Sequence, residues 1–348
     1  MTVYLFQYIL IILLYYSKQY IPSKGYNKFV FFIVLTIMVL IGGFRFDIGQ
    51  DSISYVDAIF SLYKPKEFTF TLIVDAILKF RLPNYYILVI YSFITYLFLL
   101  LSIEKYNKSI QYLIILIFLS LPHYYFQTYN IIRQMASVTI FAYAVSSNKS
   151  SWIKLILLFT SILFHTSAIA PVILLILFKY TGIKTKYEIP IYLISLLVVF
   201  IPSLTEKILS SIPAFSYTHY YDYVLTDRFR NTNNILFGPI VFLDIIITLI
   251  ILYNKKRFIK NNLEYEYILF FIGQVIWNLF IYDQTIIRIS YYFVFFYIIL
   301  VPYLSIIFGK KYSNIIKTCI FALYTILFIN YILSSENPYI PYKNVLLK

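Results

Sequence analysis

"KFVFFIVLTIMVLIGGFRFDIGQDSISY", residues 28–55, carries no charge between Lys28 and Arg45, then places an Arg, two Asp and Gly49 within a few residues. An apolar run of this length nearly covers the hydrocarbon of a bilayer, and the polar residues directly behind it belong at the interface. The chain repeats this pattern from end to end. It is 61% hydrophobic and 13% charged, with a mean hydropathy of +0.79 over 348 residues, which no water-soluble core of that size requires. The composition therefore predicts an all-α, polytopic integral membrane protein, with residues 1–348 forming a single transmembrane domain. No charge lies between Met1 and Lys18, where a secretory signal would need a basic region, so the first segment is expected to be a retained helix. The lone Cys319 has no internal disulfide partner.

About twelve transmembrane helices are expected, at 2–17, 29–44, 84–103, 109–123, 130–147, 151–164, 166–179, 189–202, 235–253, 266–282, 286–308 and 313–333. Residues 151–179 could form one long helix, but two short ones keep every short Lys-rich loop on one face.

With that topology the basic residues sort by type. The inner loops, including Lys24, Lys28, Lys105, Lys108, Lys255 and Lys256, hold most of the lysines but one arginine, Arg257. Arg45, Arg81, Arg133, Arg228, Arg230 and Arg288 all fall on the outer side. The lysines fit the positive-inside rule and anionic inner lipids. The outer arginines call for another reason. A guanidinium fork matches phosphate oxygens bidentately and stays charged, so it suits an anionic ligand in a partly dry site. Arg45, Arg133 and Arg288 sit at helix ends, where snorkelling or pairing with Asp47, Asp51 or Asp283 is the structural alternative. Locally, Gly49 permits a tight turn and Asp51 or Ser52 can cap a short helix, an account that leaves Arg45 unexplained. Asp244, midway along an apolar segment, reads as helix-packing glue with Gln274 or Asn278 as hydrogen-bond partners.

"FRFDIGQDSISY" at 44–55 resembles the Arg, Gly-x-Asp and Tyr signature of EpsG-type, Wzy-like polysaccharide polymerases. "NIIRQ" at 130–134, "FHTSA" at 164–168 and "RISYYFVFFYIILVP" at 288–302 resemble further landmarks of that family, in the same order. The resemblance covers residues 1–310 or so. It implies an enzyme of the bacterial inner membrane, facing the periplasm or cell exterior, that joins undecaprenyl-pyrophosphate-linked oligosaccharide repeat units as donor and acceptor. Such a glycosyltransferase would place Arg45, Arg133 and Arg288 on the leaving pyrophosphate. Asp51 and His165 would be the candidate bases for the attacking hydroxyl. Tyr55, Tyr292, Gln134, Arg228 and Arg230 would contact sugar or support those groups. The outer-face segments 44–83 and 203–234 are expected to form the substrate site, although 203–234 carries no motif of that family.

No cofactor or metal is expected, because neither a Gly-rich phosphate loop nor an Asp-x-Asp pair occurs. Besides its lipid-linked substrates, the chain is expected to contact membrane lipids and a chain-length regulator. Nucleic acid is excluded, since no soluble basic and aromatic surface exists to hold a strand. His123 and His219 also fall on the outer side but match no motif. A lipid-linked glycan flippase would need cationic groups inside its spans, and an acyltransferase would need a reactive group toward the cytoplasm. An O-antigen ligase shares the chemistry and differs only in motif order.

Overall fold

A computed structural model of the chain describes all residues except 50, 60–66, 182–185, 202–238, 284–285, 335–336 and 348. Among the described residues the regular structure is helical, with one isolated antiparallel bridge between Arg45 and Asn344. Each apolar run contains a helix. The first are α1 (Thr2–Ser17), α2 (Lys24–Gly43), α3 (Ser52–Asp57), α4 (Phe68–Lys79), α5 (Tyr86–Ile103) and α6 (Lys108–Ser120). Then come α7 (Gln127–Asn130), α8 (Ile132–Ser146), α9 (Ser151–Phe164), α10 (Ile169–Thr181) and α11 (Glu188–Phe200). The rest are α12 (Pro239–Tyr253), α13 (Lys255–Lys260), α14 (Glu264–Phe280), α15 (Ile287–Val294), α16 (Tyr297–Ile307) and α17 (Lys310–Leu333).

Four stretches, Lys24–Gly43, Tyr86–Ile103, Ile287–Ile307 and Lys310–Leu333, are long and apolar enough to cross a membrane. The other apolar helices have 10–17 residues, so length and composition mark four crossings where the sequence suggests about twelve. In α2 and α17 only 28% and 22% of the apolar window is buried by protein, which leaves the remaining apolar surface to lipid.

By its packing the chain divides into two compact units, Met1–Ile169 with Pro302–Lys348, and Ala170–Val301. In the first, α5 packs between α2 and α8, α8 packs on α9, and α6 takes α1 and α17. Lipid gives apolar side chains little reason to leave it, so such helices associate through close packing. Gly42 and Gly43 supply that closeness: a Cβ on Gly43 would stand 2.8 Å from the Val89 Cα, and one on Gly42 would stand 2.9 Å from the Tyr96 ring. The break between α9 and α10 falls at His165, whose backbone is extended at φ −159 and ψ 124, and so two helices form over 151–181.

In the second unit α11 and α15 both pack on α14. Asp244 takes a hydrogen bond from Tyr297, not from Gln274 or Asn278; Asn278 donates instead to Ser195 Oγ at 2.9 Å. Lys255 pairs with Glu188.

Candidate functional site

The loop that follows α2 is held by its own arginine. Helix α2 ends at Gly43 with carbonyls that have no partner further along the helix, a common state of helix C-termini. Arg45 turns back, donates from Nη1 to the Gly42 carbonyl and from Nη2 to the Tyr129 carbonyl at 2.9 Å, and stacks 4.8 Å above the Tyr129 ring. Its cation thus joins the C-terminal ends of α2 and α7, where helix dipoles favour positive charge. Burial pulls its pKa down from the ordinary value while Tyr129, Tyr96 and Tyr4 pull it up, and a guanidinium stays charged throughout. Arg45 is 0% exposed and clamps two helix-end carbonyls, while its buried Nε–H has no acceptor.

Gly49 follows at φ +88. A Cβ would stand 2.6 Å from Asn130 Oδ1 and 3.1 Å from the Tyr129 carbonyl, so glycine is needed for both conformation and space. Asp51 occupies the cap position of α3, but its side chain makes no capping hydrogen bond, which leaves its carboxylate for other work.

The C-terminal segment seals this loop. Phe46 N donates to the Lys343 carbonyl at 3.0 Å and Val345 N to the Phe44 carbonyl at 2.9 Å, on either side of the Arg45–Asn344 bridge. Tyr342 Oη donates to the Ile41 carbonyl at 3.0 Å, Asn130 donates to Tyr339 Oη, and Lys343 pairs with Asp47 at 3.2 Å. Tyr339 also stacks on Phe126 at 4.5 Å.

Arg133 stands at the start of α8 in different surroundings. Its Nη1 pairs with Glu67, the residue that precedes α4, and its guanidinium hydrogen-bonds Tyr55. It lies 5.7 Å from the ring centroids of both Tyr55 and Phe70. Its side chain is 20% exposed and that of Glu67 13%. Its buried Nε–H has no acceptor, so the fork keeps an unpaired donor of the kind an anionic oxygen satisfies. Tyr91 and Phe164 close the floor below, their rings 6.0 Å apart and edge-on, and Thr69 Oγ1 ties α4 to the Leu163 carbonyl at 2.9 Å.

His165 follows Phe164. The Ser167 amide donates to its Nδ1 at 3.3 Å, and the Ser167 hydroxyl lies 2.6 Å from the same nitrogen. The acceptor at Nδ1 places the proton of the neutral ring on Nε2.

The EpsG family profile matches residues 27–344, nearly the whole chain. The chain belongs to the EpsG family. It is accordingly a membrane protein of polysaccharide biosynthesis, in a family of glycosyltransferase-like polymerases. No curated protein and no solved structure matches it significantly. The family match extends through Asn344, so it includes the segment that closes the Arg45 loop, beyond the last motif legible in the sequence.

The structure brings Tyr55 and Arg133 together and buries Gln134, the residue after Arg133. In the second unit, Arg288 is exposed in the first turn of α15, and Asp283 accepts from the Ile286 amide just before that helix at 2.8 Å. Tyr292 is buried in the same helix. Arg228, Arg230 and all of segment 203–234 lie outside the described residues, as does His219. Among the described residues no group of three His, Cys, Asp or Glu side chains could hold a metal ion. Glu67, Tyr91, Tyr339 and Tyr342 carry no motif, and only the fold reveals them as partners of the signature residues.

Proposed function

We propose that this EpsG-family chain is a polysaccharide repeat-unit polymerase. It transfers a growing glycan from undecaprenyl pyrophosphate to a lipid-linked acceptor at the outer face of the bacterial inner membrane, through about twelve crossings. The observation that supports this reading best is Arg133: a partly exposed guanidinium at a helix start, paired with the Glu67 carboxylate and carrying a buried donor without an acceptor.

In the reaction the acceptor hydroxyl attacks the anomeric carbon of the donor, the bond from that carbon to the pyrophosphate oxygen breaks, and the electron pair leaves with the pyrophosphate. Arg133 stabilises the charge that develops there. Pyrophosphate that displaces Glu67 from Arg133 frees a carboxylate beside the reacting groups. Glu67 or Asp51 then takes the hydroxyl proton. His165 is a further candidate for handling that proton, while Tyr55 offers an aromatic face. Arg45 acts at one remove, by fixing the loop that carries Asp51 and Tyr55.

The test is the surface glycan ladder of the source bacterium with the gene deleted and then restored as wild type, Arg133→Ala or Glu67→Gln. Loss of long chains in the deletion and in Arg133→Ala, with single repeat units still reaching the surface, is the expected result. Lipid-linked units trapped on the cytoplasmic face would instead assign transport, and a ladder unchanged by the deletion would refute the proposal.

A further inference from the structure

The antiparallel pair α2 and α5 has a second end. At one, Gly43 meets Val89; at the other, a cavity of about 340 Å³ is lined by Asn27, Lys28, Phe31, Phe32, Leu101 and Glu104. Asn27 and Lys28 lie in the first turn of α2, Leu101 lies in the last turn of α5, and Glu104 caps that helix. The cavity thus has an apolar wall toward the helix interiors and a charged rim where both helices end.

The rim is not neutralised as it stands. Glu104 receives Lys18 and Tyr15 through Oε1 alone, the latter at 3.3 Å, while Gln111 Oε1 accepts from Lys18 at 3.0 Å. Lys18 is 0% exposed, so this pair fixes the carboxylate in place. Glu104 Oε2 accepts no hydrogen bond among the described residues, and the Glu104 side chain is 26% exposed. Asn27 Oδ1 is buried without a donor. Lys28 is exposed and has no carboxylate partner among the described residues. Two acceptors without donors therefore lie beside one unpaired cation, above an apolar wall.

We propose that this cavity binds a phospholipid with a primary-amine headgroup, of the phosphatidylethanolamine type. Lys28 takes the phosphate, the ammonium donates to Glu104 Oε2 and Asn27 Oδ1, and an acyl chain lies along Phe31, Phe32 and Leu101. A phosphatidylcholine headgroup has no N–H to offer those acceptors, and a phosphatidylglycerol headgroup brings no cation to Glu104. The site lies at the opposite end of α2 from Arg45 and does not depend on the polymerase reading.

The test uses the purified full chain in detergent, with native mass spectrometry after addition of phosphatidylethanolamine, phosphatidylcholine or phosphatidylglycerol of identical acyl chains. One tightly held phosphatidylethanolamine, retained roughly tenfold better than either competitor, is expected. Asn27→Leu and Lys28→Gln should each reduce that retention, with the bulk of loosely held lipid unchanged. Equal retention of the three lipids, preference for phosphatidylglycerol, or indifference to both substitutions would overturn the proposal. Because the lipid comparison is made on the wild-type chain, it holds even if a variant fails to fold.

Discussion

Arg45 and Arg133 belong to matching stretches of sequence, yet burial separates their roles. Arg45 satisfies two carbonyls at helix ends, so Arg45→Ala leaves them buried without donors, at about 1–3 kcal/mol each. Loss of folded, monodisperse protein in detergent is the expected outcome for Arg45→Ala. Arg133→Ala should purify like wild type and lose polymer, and Arg133→Lys should restore little, since an ammonium lacks the fork. Size-exclusion profiles set beside glycan ladders separate the two cases; normal yield for Arg45→Ala would refute the clamp. Gly49→Ala meets both a positive φ and the Asn130 side chain, so a loss of roughly 1–3 kcal/mol in thermal or denaturant unfolding is predicted. The sequence marks Arg45, Gly49 and Arg133 by type and position. It does not mark Glu67, because its partner lies in a different helix and nothing local distinguishes it from a solvated acid.

Helix boundaries were more legible than helix contacts. The apolar run 29–44 predicts α2, and 84–103 predicts α5, within a few residues. The run 109–123 overshoots: α6 stops at Ser120, Leu121 is extended, and Pro122 follows, since the residue before proline is pushed out of the helical region. The C-terminal segment after α17 has no apolar period and reads as a loop from sequence. Its role arises from two backbone bonds to Phe44 and Phe46 and from Tyr339 and Tyr342. Ending the chain after Ser334 should therefore speed amide exchange of Phe46 and its neighbours, by about tenfold or more for the loss of roughly 1.5 kcal/mol of hydrogen bonding. Unchanged exchange there would show that the segment does not hold the loop.

At the scale of the whole molecule, the prediction is orientation. With Cys319 replaced by Ala, a cysteine at Asp47 should react with a membrane-impermeant maleimide on intact cells. One at Lys108 should react only after permeabilisation, and the reverse pattern would invert the proposed topology. The sequence by itself determined the membrane class and the positions of most helices. These follow from hydropathy and charge, which are summed along the chain and need no knowledge of contacts. Only the tertiary structure decided that Arg45 is fully buried while Arg133 stays partly exposed, that Glu67 and Tyr55 are the partners of Arg133, and that the C-terminal segment closes the signature loop. Those facts depend on which helix ends meet, and lipid-facing sequences specify such meetings through close packing of small residues and scattered hydrogen bonds that leave little periodic trace.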